Sequence, residues 1–223
     1  MRPLITTIGF DHMEYLGDTL EKISAEKAGI IKPYRPVFVG EPKDECIRVF
    51  KEKAQQLNCL YTQIPIPQEV FIDKACCFNY DGKNIHLKSL ARYQAMNANC
   101  ALRVAQGLNE LFPINVDKAI EGIEQTQWKG RFEVIIEPAR IILDGAHNEH
   151  GMAALISGIE VLKHPRVAVF SALKDKDSDA MIEELISVCD RVIVTHFDFY
   201  RAQSLENLAK NFNVLSIEDP MEA

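Results

Sequence analysis

A chain of 223 residues in which 47% are apolar is long enough to bury one large core or two compact ones. Its 32 acids against 25 bases leave a net charge of -7, which excludes a non-specific electrostatic grip on nucleic acid or anionic lipid, so an anionic ligand must be held by local geometry. With no apolar run of about eighteen residues and no basic-then-apolar leader, the chain is expected to be cytoplasmic and to have no membrane partner.

In chain order, ITTIGF reads as a short strand and Asp18 to Gly29 as a helix closed by glycine. PVFVG reads as a buried strand, Asp44 to Leu57 as an amphipathic helix and CLYTQI as a further strand, the alternation of a parallel α/β sheet. Between Glu69 and Leu87 two β-prone runs flank Asp81-Gly82, a dipeptide suited to the positive φ angles of a tight hairpin. Tyr93 to Leu111 and Val116 to Ile123 carry helical apolar faces, and a first unit is expected to end near Thr126. After Trp128 come FEVII, RIILDG, a helix from Glu149 to Leu162, RVAVFSAL, a helix from Asp179 to Val188, RVIVTHF, a helix near Leu205 to Lys210 and FNVLSI. That second alternation predicts a doubly wound α/β domain. The six cysteines lack zinc spacing and fall mostly in apolar stretches, so they are expected to be buried thiols.

Two stretches concentrate polar chemistry. IILDGAHN sends an apolar strand into Asp144, Gly145, His147 and Asn148 and then a helix, and ligands of open α/β sheets bind at such strand ends. Asp144 suits a ribose and His147 a phosphate or carboxylate; an N-cap aspartate and a turn glycine explain the same residues equally well. His150 is expected at the surface, His86 and His164 are given no function, and His196 reads best as a structural histidine. GFDHMEYLGDTLEKISAEKAGIIK, residues 9 to 32, is the second stretch. Its His12 follows a strand end, where a neutral imidazole suits a metal. Lys27 precedes the apolar run Ala28-Gly29-Ile30-Ile31 and is expected to be buried by it; a buried amine loses basicity and can form a carbamate, an oxygen ligand for a hard cation.

The same 24 residues resemble the signature segment of the folylpolyglutamate synthases and dihydrofolate synthases of the Mur ligase family, and RYQAMNANCAL, WKGRFEVI and LDGAHNEH resemble three later blocks in the same order. The resemblance implies an α/β chain with part of a central ATP-binding domain (1–126) followed by a Rossmann-like, doubly wound glutamate-ligase domain (131–223), incomplete at its end. It implies an ATP-dependent ligase joining L-glutamate to folate or dihydropteroate through an acyl phosphate, with ATP and Mg2+ as cofactors. Residue by residue it makes His12 a magnesium ligand, Lys27 a carbamylated lysine, Asn97 an adenine-contacting asparagine, Gln94 a cofactor-binding glutamine where the family also has glutamine, Arg131 a phosphate contact, Asp144 a nucleotide-binding aspartate and His147 a histidine near the reacting groups.

Tyr93 and Lys129 depart from the family pattern, which commonly has histidine and proline there. A larger departure is that the chain contains no G-x-x-x-x-G-K-[S/T] phosphate loop. The sequence is therefore expected to begin within the ATPase domain, to need a missing amino-terminal segment as partner and to be inactive by itself. A non-catalytic nucleotide-binding or scaffold relative is the alternative. A cell-wall Mur ligase is disfavoured by the DH-LG-EKAGI-K block.

Overall fold

The computed structural model describes residues 2–10, 13–72, 75–109, 111–135 and 140–222. Contacts divide the chain into two compact units, Met1–Leu143 and Asp144–Ala223.

The first unit opens as read from the sequence. Strands β1 (Leu4–Ile5), β2 (Val37–Val39) and β3 (Tyr61–Gln63) pair in parallel, in that order. Helices α1 (Met13–Leu16) and α2 (Leu20–Lys27) fill the first crossover, and α3 (Asp44–Gln56) the second. Every residue of β2 is buried, which explains its unbroken apolar text: a central parallel strand is covered on both faces. Buried Cys46, Phe50 and Ala54 recur along α3 at a spacing of four, so one stripe faces the sheet; Asp44 and Glu45 at its start and Lys53 in its last turn complement the helix dipole. Thr19 caps α2, its side chain accepting from Lys22 N, and the helix ends in a 3-10 turn, Ala28–Ile30, rather than on a left-handed glycine.

A second, antiparallel sheet follows, β4 (Gln68–Ile72), β5 (Cys76–Tyr80) and β6 (Lys83–Leu87). Asp81 (φ 49°) and Gly82 (φ 83°) make the expected turn between β5 and β6. Cys76, Phe78 and Tyr80 alternate onto one face and pack with Ile85 and Leu87 against α4 (Tyr93–Leu108) and α5 (Val116–Gln125). Strands β7 (Glu133–Ile135) and β8 (Ile141–Leu143) correct the sequence reading: they pair with each other antiparallel, not in a parallel sheet. The few residues between them are too short for a crossover, and only an antiparallel return is possible.

In the second unit β9 (Val167–Phe170), β10 (Arg191–Thr195) and β11 (Leu215–Ile217) form a parallel sheet with β10 central. Helices α6 (Glu149–Ile159), α7 (Ser178–Val188) and α8 (Leu205–Ala209) contribute Met152, Ile182, Leu185 and Leu208 to a core shared with Phe170, Val192 and Val194. Among the described residues no helix is long and apolar enough to cross a membrane. None of the six cysteines forms a disulfide; four are buried, while Cys59 and Cys189 are half-buried.

Candidate active site

In the first unit the helix α4 presents two of the expected residues together. Gln94 and Asn97 stand one turn apart, and Asn97 Nδ2 donates to Gln94 Oε1 at 3.0 Å. Their opposite neighbours hold the helix down. Ala95 and Ala98 are buried in the core, and buried Asn99 donates from Nδ2 to Pro65 O at 2.8 Å. The entry to α4 is tied in turn, Ala91 N donating to Ser89 Oγ at 3.1 Å and Arg92 Nη2 to Val70 O at 3.0 Å. An amide pair on a fixed helix face can read the donor and acceptor edge of a planar base.

Arg131 is exposed between two residues in left-handed backbone, Gly130 (φ 65°) and Phe132 (φ 50°). Phe132 is buried to 1% exposure and anchors the turn, while Gly130 N donates to Glu133 Oε2 at 2.8 Å. A bulky residue adopts positive φ only where its surroundings enforce it, and here the buried ring does so. The effect is to leave the Arg131 side chain exposed beside a buried anchor.

Lys27 ends α2 and is exposed, which corrects the expectation that the apolar run after it would bury it. Successive helical side chains point about 100° apart, so buried Ala28 turns its predecessor away from the core. The His12 position lies outside the described residues. Among those described, no group of three or more His, Cys, Asp or Glu side chains is arranged to hold a metal ion.

In the second unit the LDGAHN loop leads from β8 into α6. Half-buried Asp144 accepts from Ala146 N through Oδ1 at 2.7 Å, and the exposed His147 ring donates from Nδ1 to Gly145 O at 2.8 Å. Asn148, not Asp144, is the N-cap of α6, accepting from Gly151 N at 2.8 Å. Asp144 and His147 thus each fold back on the loop's own backbone and give it a defined shape before the helix starts. Of the other histidines, His150 is exposed as expected. His196 Nδ1 lies 3.3 Å from Gln203 O, the structural role anticipated for it, and His164 Nδ1 lies 2.7 Å from Asp190 Oδ2.

The sequence reading passed over Glu41 and Lys43. Glu41 is fully buried at the carboxyl end of β2, where an ionisable residue directly after PVFVG was the available signal.

With this geometry in place, the comparisons with known proteins fall into line. Residues 130–223 match the family described as Mur ligase, glutamate ligase domain. The chain is 31% identical over 218 residues to the dihydrofolate synthase/folylpolyglutamate synthase of Bacillus subtilis, a match covering 92% of this chain and 51% of that protein. Among solved structures, E. coli FolC in complex with ADP superposes with a TM-score of 0.81 at 27% identity, over 98% of this chain and 53% of that one. The folylpolyglutamate synthase of Thermotoga maritima gives 0.80 at 30% identity, over 99% and 54%. The α/β fold is thus that of Mur ligases. More particularly, the chain is a relative of the folylpolyglutamate and dihydrofolate synthases, as its motif blocks imply, and it spans about half the length of the curated relatives it matches.

Proposed function

We propose that this chain is a portion of an ATP-dependent ligase that joins L-glutamate to folate or dihydropteroate, working in the cytoplasm on small molecules, and that it turns over little by itself. Residues 1–126 belong in this reading to the central ATP-binding domain and 131–223 to the glutamate-ligase domain. The observation that carries it is collinearity: four motif blocks occur in order along a chain that is similar to a dihydrofolate/folylpolyglutamate synthase over 92% of its length.

In this reading Gln94 and Asn97 orient adenine and Arg131 holds phosphate charge, while Asp144 and His147 keep the roles the resemblance gives them, a nucleotide-binding aspartate and a histidine near the reacting groups. Each of these groups is polar and either exposed or half-buried, which fits a nucleotide. His12 and a carbamylated Lys27 would be protein donors to Mg2+, which takes few protein ligands and keeps phosphate oxygens and water for the rest. The exposure of Lys27 removes the burial from which a carbamate was argued, so that role rests on the resemblance of the EKAGI-K block alone. The cation, when bound, neutralises phosphate charge. Phosphoryl transfer depends almost wholly on positioning and charge stabilisation, so a chain without a G-x-x-x-x-G-K-[S/T] loop keeps little of the rate.

The test supplies a recombinant amino-terminal half carrying such a loop and follows ATP-dependent incorporation of labelled glutamate into a reduced folate and into dihydropteroate. Incorporation only when both halves are present is the expected result. No incorporation by the pair, where an intact relative is active, removes the ligase reading, and full activity of this chain alone removes its dependence on the added half.

A further inference from the structure

Four rings stand side by side on the loop that leaves the carboxyl end of β10. His196 and Phe197 have ring centroids 6.4 Å apart with planes 25° from parallel, Phe197 and Phe199 6.3 Å and 13°, and Phe199 and Tyr200 4.7 Å and 52°. Burial does not account for them: Phe197, Phe199 and Tyr200 are 37%, 41% and 79% exposed. The loop is nevertheless held. A bridge between Leu173 and Ala202 stitches it to the loop that leaves neighbouring β9, Lys174 N donates to Arg201 O at 2.9 Å and Gln203 N to Ala172 O at 2.8 Å. Arg201 Nη2 adds an ion pair with Asp175 Oδ1 at 2.8 Å.

A cation completes the arrangement. Lys174 Nζ donates to Tyr200 O at 3.0 Å, which holds the ammonium at the foot of the last ring, and no carboxylate pairs with it among the described residues. Its neighbours differ, for Arg201 and Lys176 both face Asp175. Asp198, the acid between the two phenylalanines, is exposed. Exposed aromatic surface is unfavourable in water and gains most from a planar partner that stacks on it. A fixed ammonium without a counter-charge beside that surface selects an acid. Ligands of open α/β sheets bind outside the carboxyl ends of the strands, where both loops lie, and a platform already tied down loses little freedom on binding.

We propose that the 196–200 ring ladder with Lys174 is a binding site for a planar aromatic carboxylate, its ring on Phe199 and Tyr200 and its carboxylate on Lys174. This deepens the ligase reading and rests on it for the identity of the natural ligand, since dihydropteroate ends in a benzoyl carboxylate and folate in a benzoyl group joined to glutamate. The class of ligand follows from the rings and the ammonium alone.

The experiment titrates the full chain with 4-aminobenzoate and 4-aminobenzoyl-L-glutamate, and with L-glutamate and cyclohexanecarboxylate as acids without an aromatic ring, reading binding by saturation-transfer NMR. Both aromatic acids are expected to bind, and the other two about fivefold more weakly or less tightly still. Tyr200→Ala and Phe199→Leu are each expected to weaken the aromatic acids about two- to tenfold, the scale of a stacked pair. Lys174→Met should weaken them about two- to fivefold, a loss that shrinks as salt is raised, as for an exposed ion pair. It leaves the backbone bonds between the loops in place, so it stays readable should a ring variant misfold. Asp198→Asn removes a like charge and is expected to bind as tightly as wild type or more so. Weaker binding by Asp198→Asn would mean that the rings take a cation and overturns the proposal, as do equal affinity for cyclohexanecarboxylate, unchanged affinity in the folded ring and Lys174 variants, or no binding of either aromatic acid. Dimerisation that Tyr200→Ala abolishes, without binding of the acids, gives the rings to a second copy and overturns it too. Failure on these counts leaves the ligase reading standing, because glutamate incorporation by the two halves together tests that separately; bound aromatic acids without incorporation keep the site and remove only the identity of its natural ligand.

Discussion

Asn97 and Gln94 satisfy one another across 3.0 Å on the exposed side of α4, so neither amide can be altered without changing the other. If both orient adenine, their contributions to nucleotide binding are coupled. Asn97→Ala is expected to lower ADP affinity roughly tenfold, about 1.4 kcal/mol, the scale of one hydrogen bond together with the partner it strands. Gln94→Ala should cost somewhat less, and the double variant clearly less than the sum, since neighbours in one network are not additive. Titration calorimetry of the four chains completes the cycle. Strict additivity would show that the two side chains act on separate things.

Gly107 and Gly122 are expected to respond oppositely to alanine. Both are helical, and glycine inside a helix costs about 0.5–1 kcal/mol relative to alanine. A Cβ on Gly122 of α5 meets nothing within 4 Å, so Gly122→Ala should stabilise the first unit by about that amount. A Cβ on Gly107 of α4 would overlap Cζ of Phe38, a ring only 6% exposed. Overpacking of this kind costs about 1–3 kcal/mol, which exceeds the helical gain, so Gly107→Ala should destabilise. Urea unfolding of the two variants against wild type gives the signs directly.

How much of this was legible depends on whether the signal was local. The hairpin at Asp81-Gly82 was, because the turn's φ angles select its residues whatever surrounds it. The strand-helix alternation before residue 65 was legible too, since β2 needs a continuous apolar run and α3 a stripe of one. The pairing partner of β7 was not, for a strand's composition does not encode which strand lies beside it; only the short link to β8 argued for an antiparallel return. In the site, the polar strand-end loop at Asp144 could be read from the residues themselves, whereas Gln94 and Asn97 were singled out only by the resemblance of the RYQAMNANCAL block. The Lys27 expectation failed because apolar neighbours in a sequence do not share a face, and Glu41 was missed because its partner Ile8 lies 33 residues away.

Thiol chemistry offers a separate check on the cores. Burial pushes the Cys76 thiol up to about 11, with a smaller upward push from adjacent Cys77, and burial alone pushes Cys100 up to about 11. At pH 8 such groups are thiolate only about a thousandth of the time, and the thiolate is the species that alkylates. Half-buried Cys59 is expected to be labelled first by iodoacetamide in the native chain, with Cys76 and Cys100 protected until denaturant is added. Peptide mapping by mass spectrometry reads the order. Labelling of Cys76 or Cys100 as fast as Cys59 would mean that the sheet-helix cores of the first unit open readily.

Glu184 on α7 gives the second unit an unfavourable charge whose removal should stabilise it. Its Oε2 is buried without a hydrogen-bond partner among the described residues, and burial, reinforced by the like charge of Glu149 on α6, holds its pKa above the usual carboxylate range. The folded state therefore binds the proton more tightly than the unfolded chain does. Below the unfolded pKa the carboxyl is neutral in both states and costs nothing extra; as pH rises through the folded pKa the group must ionise in place and stability is lost. Glu184→Gln, neutral throughout, is expected to be more stable than wild type at pH 7, with the advantage shrinking as pH falls toward the ordinary glutamate range near 4. Thermal melts of both chains between pH 4 and 8 test the sign. An advantage that persists undiminished at the acid end would point to packing or helix propensity instead of charge, and no advantage at pH 7 would mean that water reaches Oε2 and relieves the cost.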